Sequence, residues 1–306
     1  MARLHTDVGK CIYCAGTKPP LTREHVLPRG LGGSIAPEGK HEALVLQRAS
    51  CESCRRMTQQ IEDECLRGRF WPIRSHLKLD RKDRRPSHVR IQLEFTDGTI
   101  EARRVKPETA HAAILMTHFD KAEVLDFRQR SQMPRIKTIF PPEFSIPASK
   151  HGAAKVGVQA KADNPRFAQM LAKIGLGLAV AEYGVDGFHP LVRDFIRFLP
   201  NDYRHWVGGR SPNEDLPGNA LHCFRSSIVR TQFGGAFIIV DIRLFASYGA
   251  PTNYVVVGKP LVPDIPDKRA RFSGEPPPLE NSLERHRLRE QPNRASRRPV
   301  AKPDEC

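Results

Sequence analysis

Apolar and polar positions follow two periods along this chain, and the switches between them outline its elements. Residues 88–95 (HVRIQLEF) and 100–105 (IEARRV) alternate apolar with polar on either side of Asp97-Gly98, which predicts a β-hairpin. Residues 155–160 (KVGVQA) read as a further strand. Residues 220–230 (ALHCFRSSIVR), 235–247 (GAFIIVDIRLFAS) and 253–258 (NYVVVG) read as consecutive strands of an antiparallel sheet. The helical period replaces this alternation in two places. Residues 52–67 (ESCRRMTQQIEDECLR) have few β-branched residues and no proline, so a helix is expected there, with Ile61, Cys65 and Leu66 inward. From Asn164 a longer helix is expected, with Asn164 as cap and Pro165 in its first turn, ending at Gly184. Phe167, Leu171, Ile174, Leu178 and Ala181 lie along it at core spacing. A shorter helix is expected in residues 190–199 (PLVRDFIRFL). The mixture predicts an α+β fold.

The pattern also divides the chain. Residues 1–80 form an N-terminal unit, and 81–87 a basic joint. Residues 88–262 form an α+β domain, with an irregular stretch around FPPEFSIP. From 263 to 306 proline, arginine and glutamate dominate and apolar residues thin out, which predicts a disordered basic tail. Its RASRRPVAK stretch could add non-specific phosphate affinity.

Charge narrows the partners. The 306 residues carry a formal net charge of +15 and a sequence pI near 9.8. Such a field attracts polyanions, so nucleic acid is the expected partner. The first ten residues, MARLHTDVGK, lack the apolar stretch of a secretory leader. The most apolar run, Ile174–Gly184, is far short of the ~20 residues a membrane span needs, so no membrane partner is expected. The expected setting is cytoplasmic, where clustered cysteines bind metal more often than they form disulfides.

Four of the seven cysteines fall in two C-x-x-C pairs, Cys11/Cys14 and Cys51/Cys54. At this cysteine content chance supplies only about 0.16 such pairs per chain. Four thiolates satisfy a tetrahedral Zn²⁺ with no position left open, which describes a structural site. A redox dithiol would explain one pair but not two. His25 or His41 could replace a ligand, but the four cysteines need no substitute. Cys65, Cys223 and Cys306 read as structural or inert.

Between the pairs stands LTREHVLPRGLGG, residues 21–33, followed by LVL and by the second C-x-x-C opening a helix. This order of parts over residues 9–70 resembles the HNH endonucleases. It is similar in particular to a bacterial subfamily with a downstream R-R-P stretch, here Arg84, Arg85 and Pro86. The resemblance implies a treble-clef, ββα-metal fold on the zinc. It implies phosphodiester hydrolysis with His25 as general base and Glu24 as ligand of a catalytic Mg²⁺ or Mn²⁺. Where the family carries Asn or His after the last cysteine, this chain has Arg55, which cannot bind a metal. Glu62 or Gln59, on roughly the same helical face, is the expected replacement, with carboxylate the better donor for Mg²⁺. His25 is then expected at the mouth of a groove. Arg23, Arg29, Arg55, Arg56, Arg84 and Arg85 are the candidate phosphate contacts. The alternative is a zinc-scaffolded nucleic-acid-binding module that has lost cleavage. Asp97 with Glu101 and Arg103 resembles a nuclease acidic pattern, but the hairpin turn accounts for Asp97.

Overall fold

A computed structural model describes residues 5–18, 20–32, 44–77, 79, 89–106, 109–110, 113–125, 132–142, 147–158, 163–198, 202–231, 235–261 and 271–274. His41, Arg84, Arg85, Cys306 and most of the expected tail lie outside the described residues.

The N-terminal unit is built from three strands and a helix. Strand β1 (His5–Asp7) pairs parallel with β3 (Val45–Cys51), and β2 (Leu21–His25) pairs antiparallel with β3 on its other side. The β2–β3 register shifts between Thr22 and Glu24. On β3, Arg48 takes a left-handed φ of 48° within the stretch that absorbs this shift, and its guanidinium is bidentate on Asp7. Cys51 is the last residue of β3 and the N-cap of α1 (Glu52–Glu64), so the second C-x-x-C straddles the strand-to-helix junction.

The expected helix over 52–67 changes character at Cys65. Residues Cys65–Arg69 form a π-helical turn, followed by α2 (Trp71–Leu77). The wider turn carries Arg69 into the interior, where it is 1% exposed. Its guanidinium lies 4.4 Å from the centroid of the Phe167 ring. It also donates to the Leu115 carbonyl at 2.8 Å, Thr117 Oγ1 at 2.9 Å and Asn164 Oδ1 at 3.0 Å. Burial pulls its pKa down to about 10.

Beyond residue 88 the hairpin forms as its alternation requires. Strands β4 (Val89–Glu94) and β5 (Ile100–Val105) pair antiparallel, and Asp97 Oδ1 accepts from the Thr99 amide in the turn. Strands β6 (Ile114–His118) and β7 (Arg135–Ile139) form a second pair, and β8 (Lys155–Val158) joins the free edge of β4.

Helix α3 runs from Asn164 to Tyr183. Its cap is Asp163, not Asn164 as the sequence suggests. The Asp163 carboxylate accepts from the Arg166 amide at 3.0 Å, whereas the Asn164 side chain is taken by Arg69 and Thr117. Core spacing marks one face of α3, yet every residue from Phe167 to Val180 is buried. Two glycines allow this close approach. A Cβ on Gly175 would meet the Val257 and Val255 side chains at 3.1 and 3.2 Å, and one on Gly177 would meet both Val26 methyls at 3.1 Å.

Strand β9 (Phe188–Pro190) and helix α4 (Arg193–Phe198) follow, so the expected helix at 190–199 is shorter and begins after a strand. Strands β10 (Val207–Gly209), β11 (His222–Arg230), β12 (Ala236–Leu244), β13 (Asn253–Pro260) and β14 (Arg271–Gly274) complete a sheet of order β10-β13-β12-β11-β14, with β9 also on β13. These pairings are antiparallel, as expected. Within the stretch read as a tail, β14 forms an edge strand on β11.

One hydrophobic core takes residues from both expected domains. It includes Tyr13, Val26, Leu46 and Ile61 of the first, and Phe167, Ile174, Phe224 and Val255 of the second. Among the described residues no helix is long and apolar enough to cross a membrane.

Candidate functional site

The Cys11–Cys14 loop is a tight turn closed by backbone bonds. The Ala15 amide donates to the Cys11 carbonyl at 2.9 Å, and the Cys11 amide to the Gly16 carbonyl at 2.8 Å. Ala15 takes a left-handed φ of 60° to close it. The Ile12 amide donates to the Ala49 carbonyl, which hangs the loop on β3 beside Cys51. The four sulfurs of Cys11, Cys14, Cys51 and Cys54 therefore come within 4.8 Å of one another. The Cys14 and Cys51 sulfurs are 3.7 Å apart. A tetrahedral ion with metal–sulfur bonds of about 2.3 Å needs sulfur separations of about 3.8 Å, so the spacing fits zinc. Burial pushes the Cys11 and Cys54 thiols up, whereas a bound divalent ion would favour the thiolates. The cluster can hold a metal such as zinc, and its four thiolates leave no open coordination position.

The C-terminal elements tie down this loop. Arg193 Nε on α4 donates to the Ile12 carbonyl at 2.7 Å, and Lys10 pairs with Asp186.

His25 and Glu24 lie side by side on β2 and, as strand neighbours do, point to opposite faces. The imidazole of His25 is half-buried, and Nε2 accepts a hydrogen bond from Arg29 Nε at 3.0 Å. The intervening LPRGLGG stretch explains that contact. Residues Arg29–Leu31 form a 3₁₀ turn ended by Gly32, whose φ of 96° suits glycine. The turn brings Arg29 back over the end of β2. Desolvation, followed by the positive charges of Arg29, Lys173 and Arg23, lowers the His25 pKa to about 4. The ring is uncharged at neutral pH.

The carboxylate of Glu24 points inward and is 5% exposed. Its Oε1 accepts from Lys173 Nζ of α3 at 2.9 Å, and Glu62 Oε1 of α1 accepts from the same ammonium at 2.6 Å. The ammonium also donates to the His25 carbonyl at 2.6 Å. All three N–H donors of Lys173 are thus used. The side chain is 1% exposed, and the two carboxylates hold its pKa above the ordinary value against the pull of burial. The Tyr13 hydroxyl, buried in the Cys11–Cys14 loop, lies against Glu24 with no hydrogen bond of ordinary geometry.

The structure thus brings Glu24 and Glu62 together and sets Gln59 apart. Gln59 is exposed on the outer side of α1, where its Oε1 faces Arg55. Arg55 is bidentate on Glu52, and Arg56 shares that carboxylate. Arg23 and Arg29 are exposed near His25. Two open surface depressions of about 430 and 420 Å³ lie on α1 around Arg56 and on the sheet around Arg210. His25, expected at the mouth of a groove, lines neither.

Sequence reasoning missed Lys173. The signal was present: it is the one charged residue between Arg166 and Glu182, in a stretch whose only other polar side chain is Gln169. A charge there must be paired.

Compared with protein-family models, with curated proteins and with solved structures, the chain finds no match.

Proposed function

We propose that the protein is a zinc-scaffolded endonuclease of the HNH kind, acting on nucleic acid and on DNA before RNA. The reading is supported by the order of parts: a cysteine loop, the paired strands β2 and β3, and a helix entered through the second cysteine pair, the order expected of a treble-clef unit. The observation that carries the catalytic reading is His25. An uncharged, half-exposed imidazole stands at a strand end with an arginine on its Nε2 and a second arginine beside it. In this reading Arg29 engages the scissile phosphate, and the freed Nε2 takes the proton of the attacking water. Arg23, with Arg56 further along α1, anchors the flanking backbone.

A catalytic Mg²⁺ or Mn²⁺, implied by the resemblance, does not fit between Glu24 and Glu62 as they stand. The ammonium of Lys173 lies between their oxygens, and a divalent ion there would face a buried like charge.

The test is incubation of the zinc-loaded protein with supercoiled plasmid, without added divalent ion and with Mg²⁺ or Mn²⁺. Nicking should fall about 10²–10⁴-fold in His25→Ala with fold and zinc content unchanged. The engagement of Glu24 by Lys173 favours a second reading, a nucleic-acid-binding module without cleavage. Plasmid that is bound but never cut, under any of these conditions, would select it.

A further inference from the structure

The groups around Lys173 Nζ have the character of a metal site. They are a carboxylate oxygen from β2, a carboxylate oxygen from α1 and the backbone carbonyl of His25, at 2.9, 2.6 and 2.6 Å. All are hard oxygen donors, the set that Mg²⁺, Mn²⁺ and Ca²⁺ prefer. A fourth oxygen, the Tyr13 hydroxyl, stands unpartnered against Glu24. These oxygens come from three segments: the Cys11–Cys14 loop, β2 (Glu24 and the His25 carbonyl) and α1. The centre they share is filled by the end of a side chain from α3.

We propose that Glu24, Glu62 and the His25 carbonyl form a hard-cation site that the chain fills with its own ammonium, Lys173. The lysine supplies the positive charge that lets both carboxylates approach each other beneath His25. It is a positioning residue, because its donors are spent and its nitrogen cannot reach a substrate. Through the His25 carbonyl it fixes the backbone that carries the imidazole. The site is then assembled without a divalent ion, at the cost of depending on α3. This inference concerns cation binding and stands whether or not the protein cleaves nucleic acid.

Removing the ammonium should turn the site into a metal site. Mn²⁺ is the probe, followed by its paramagnetic resonance signal in the full-length, zinc-loaded chain. The wild type should hold no Mn²⁺ that Glu62→Gln removes. Lys173→Ala should gain one Mn²⁺ per chain, about tenfold or more tighter than any Mn²⁺ site of the wild type, and lose it in the Lys173→Ala/Glu62→Gln double variant. If Lys173→Ala does not fold alone, refolding in millimolar Mn²⁺ should recover it, and the double variant should not be recovered. The proposal is overturned by a wild-type Mn²⁺ site that depends on Glu62. A Lys173→Ala chain that neither gains the ion nor is rescued by it overturns the proposal equally. Cleavage is not the readout, so failure here is distinct from failure of the nuclease reading.

Discussion

His222 should make stability fall as pH drops, by an amount the structure sets. The residue opens β11 and is 3% exposed. Its Nδ1 accepts from the Phe245 amide at 3.1 Å, so Nε2 carries the proton and donates to the Leu31 carbonyl at 2.8 Å. Only the neutral ring satisfies both bonds. Burial lowers its pKa from 6.5 to about 4. The unfolded chain therefore takes up the proton first. Stability is undiminished above about pH 6.5 and is lost progressively as pH falls to about 4. The whole shift corresponds to about 3 kcal/mol, of which about 2 kcal/mol is lost between about pH 7.5 and about pH 5. Urea unfolding at those two pH values, at fixed zinc concentration, measures it. In His222→Gln the amide can still donate to Leu31, but this titration is gone. Its loss between the two pH values should be smaller than the wild type's by about 2 kcal/mol. His25 shifts in the same direction in both chains and cancels. Equal decrements in wild type and variant would refute the assignment of the titration to His222.

Cys54→Ser should lose the bound zinc and unfold the N-terminal unit, read by metal analysis and by loss of near-ultraviolet circular dichroism. DNA affinity should fall steeply with salt, about tenfold or more between about 50 and 200 mM, and this dependence should persist in His25→Ala; a flat profile in a binding titration would remove the electrostatic case. Asp241, fully buried between Arg210 and Arg225, holds β12 to β11 and to the chain that leaves β10. Asp241→Asn should cost about 2–4 kcal/mol in denaturant unfolding while leaving zinc content unchanged, because it strands two part-buried guanidinium groups.

Much of the architecture was legible because it is local. The Asp97-Gly98 turn, the alternation of residues 220–258 and the paired cysteines each carry their signal within a few residues. The cap at Asp163 was not legible, since Asn164 and Asp163 are both good caps and only Arg69, distant in sequence, decides between them. The π-helical turn at Cys65–Arg69 was hidden for the same reason. Helical propensity runs to Arg67 and Gly68 marks only an end, whereas the wider turn has its cause in the pocket that receives Arg69. At the candidate site the sequence marked Glu24, His25 and Glu62 as neighbours. It could not show that Glu24 faces inward, because that depends on which face of β2 meets α3. The tertiary partner that gives Glu24 its role stands 149 residues further on.

Gly175 and Gly177 sit two residues apart on α3 and open opposite sides of it, one towards β13 and the other towards Val26, next to His25. The helix is thus a shared wall rather than a lid. A recombination event that exchanged everything after residue 87 would leave the cysteine cluster with no counter-charge for Glu24 and no partner for Val26. The two parts share one core and are expected to fold as one piece. A fragment ending at residue 80 should behave as an unfolded peptide that still binds zinc loosely. Thermal unfolding of the whole chain should show the zinc ligands and the β11–β13 ladder melting together.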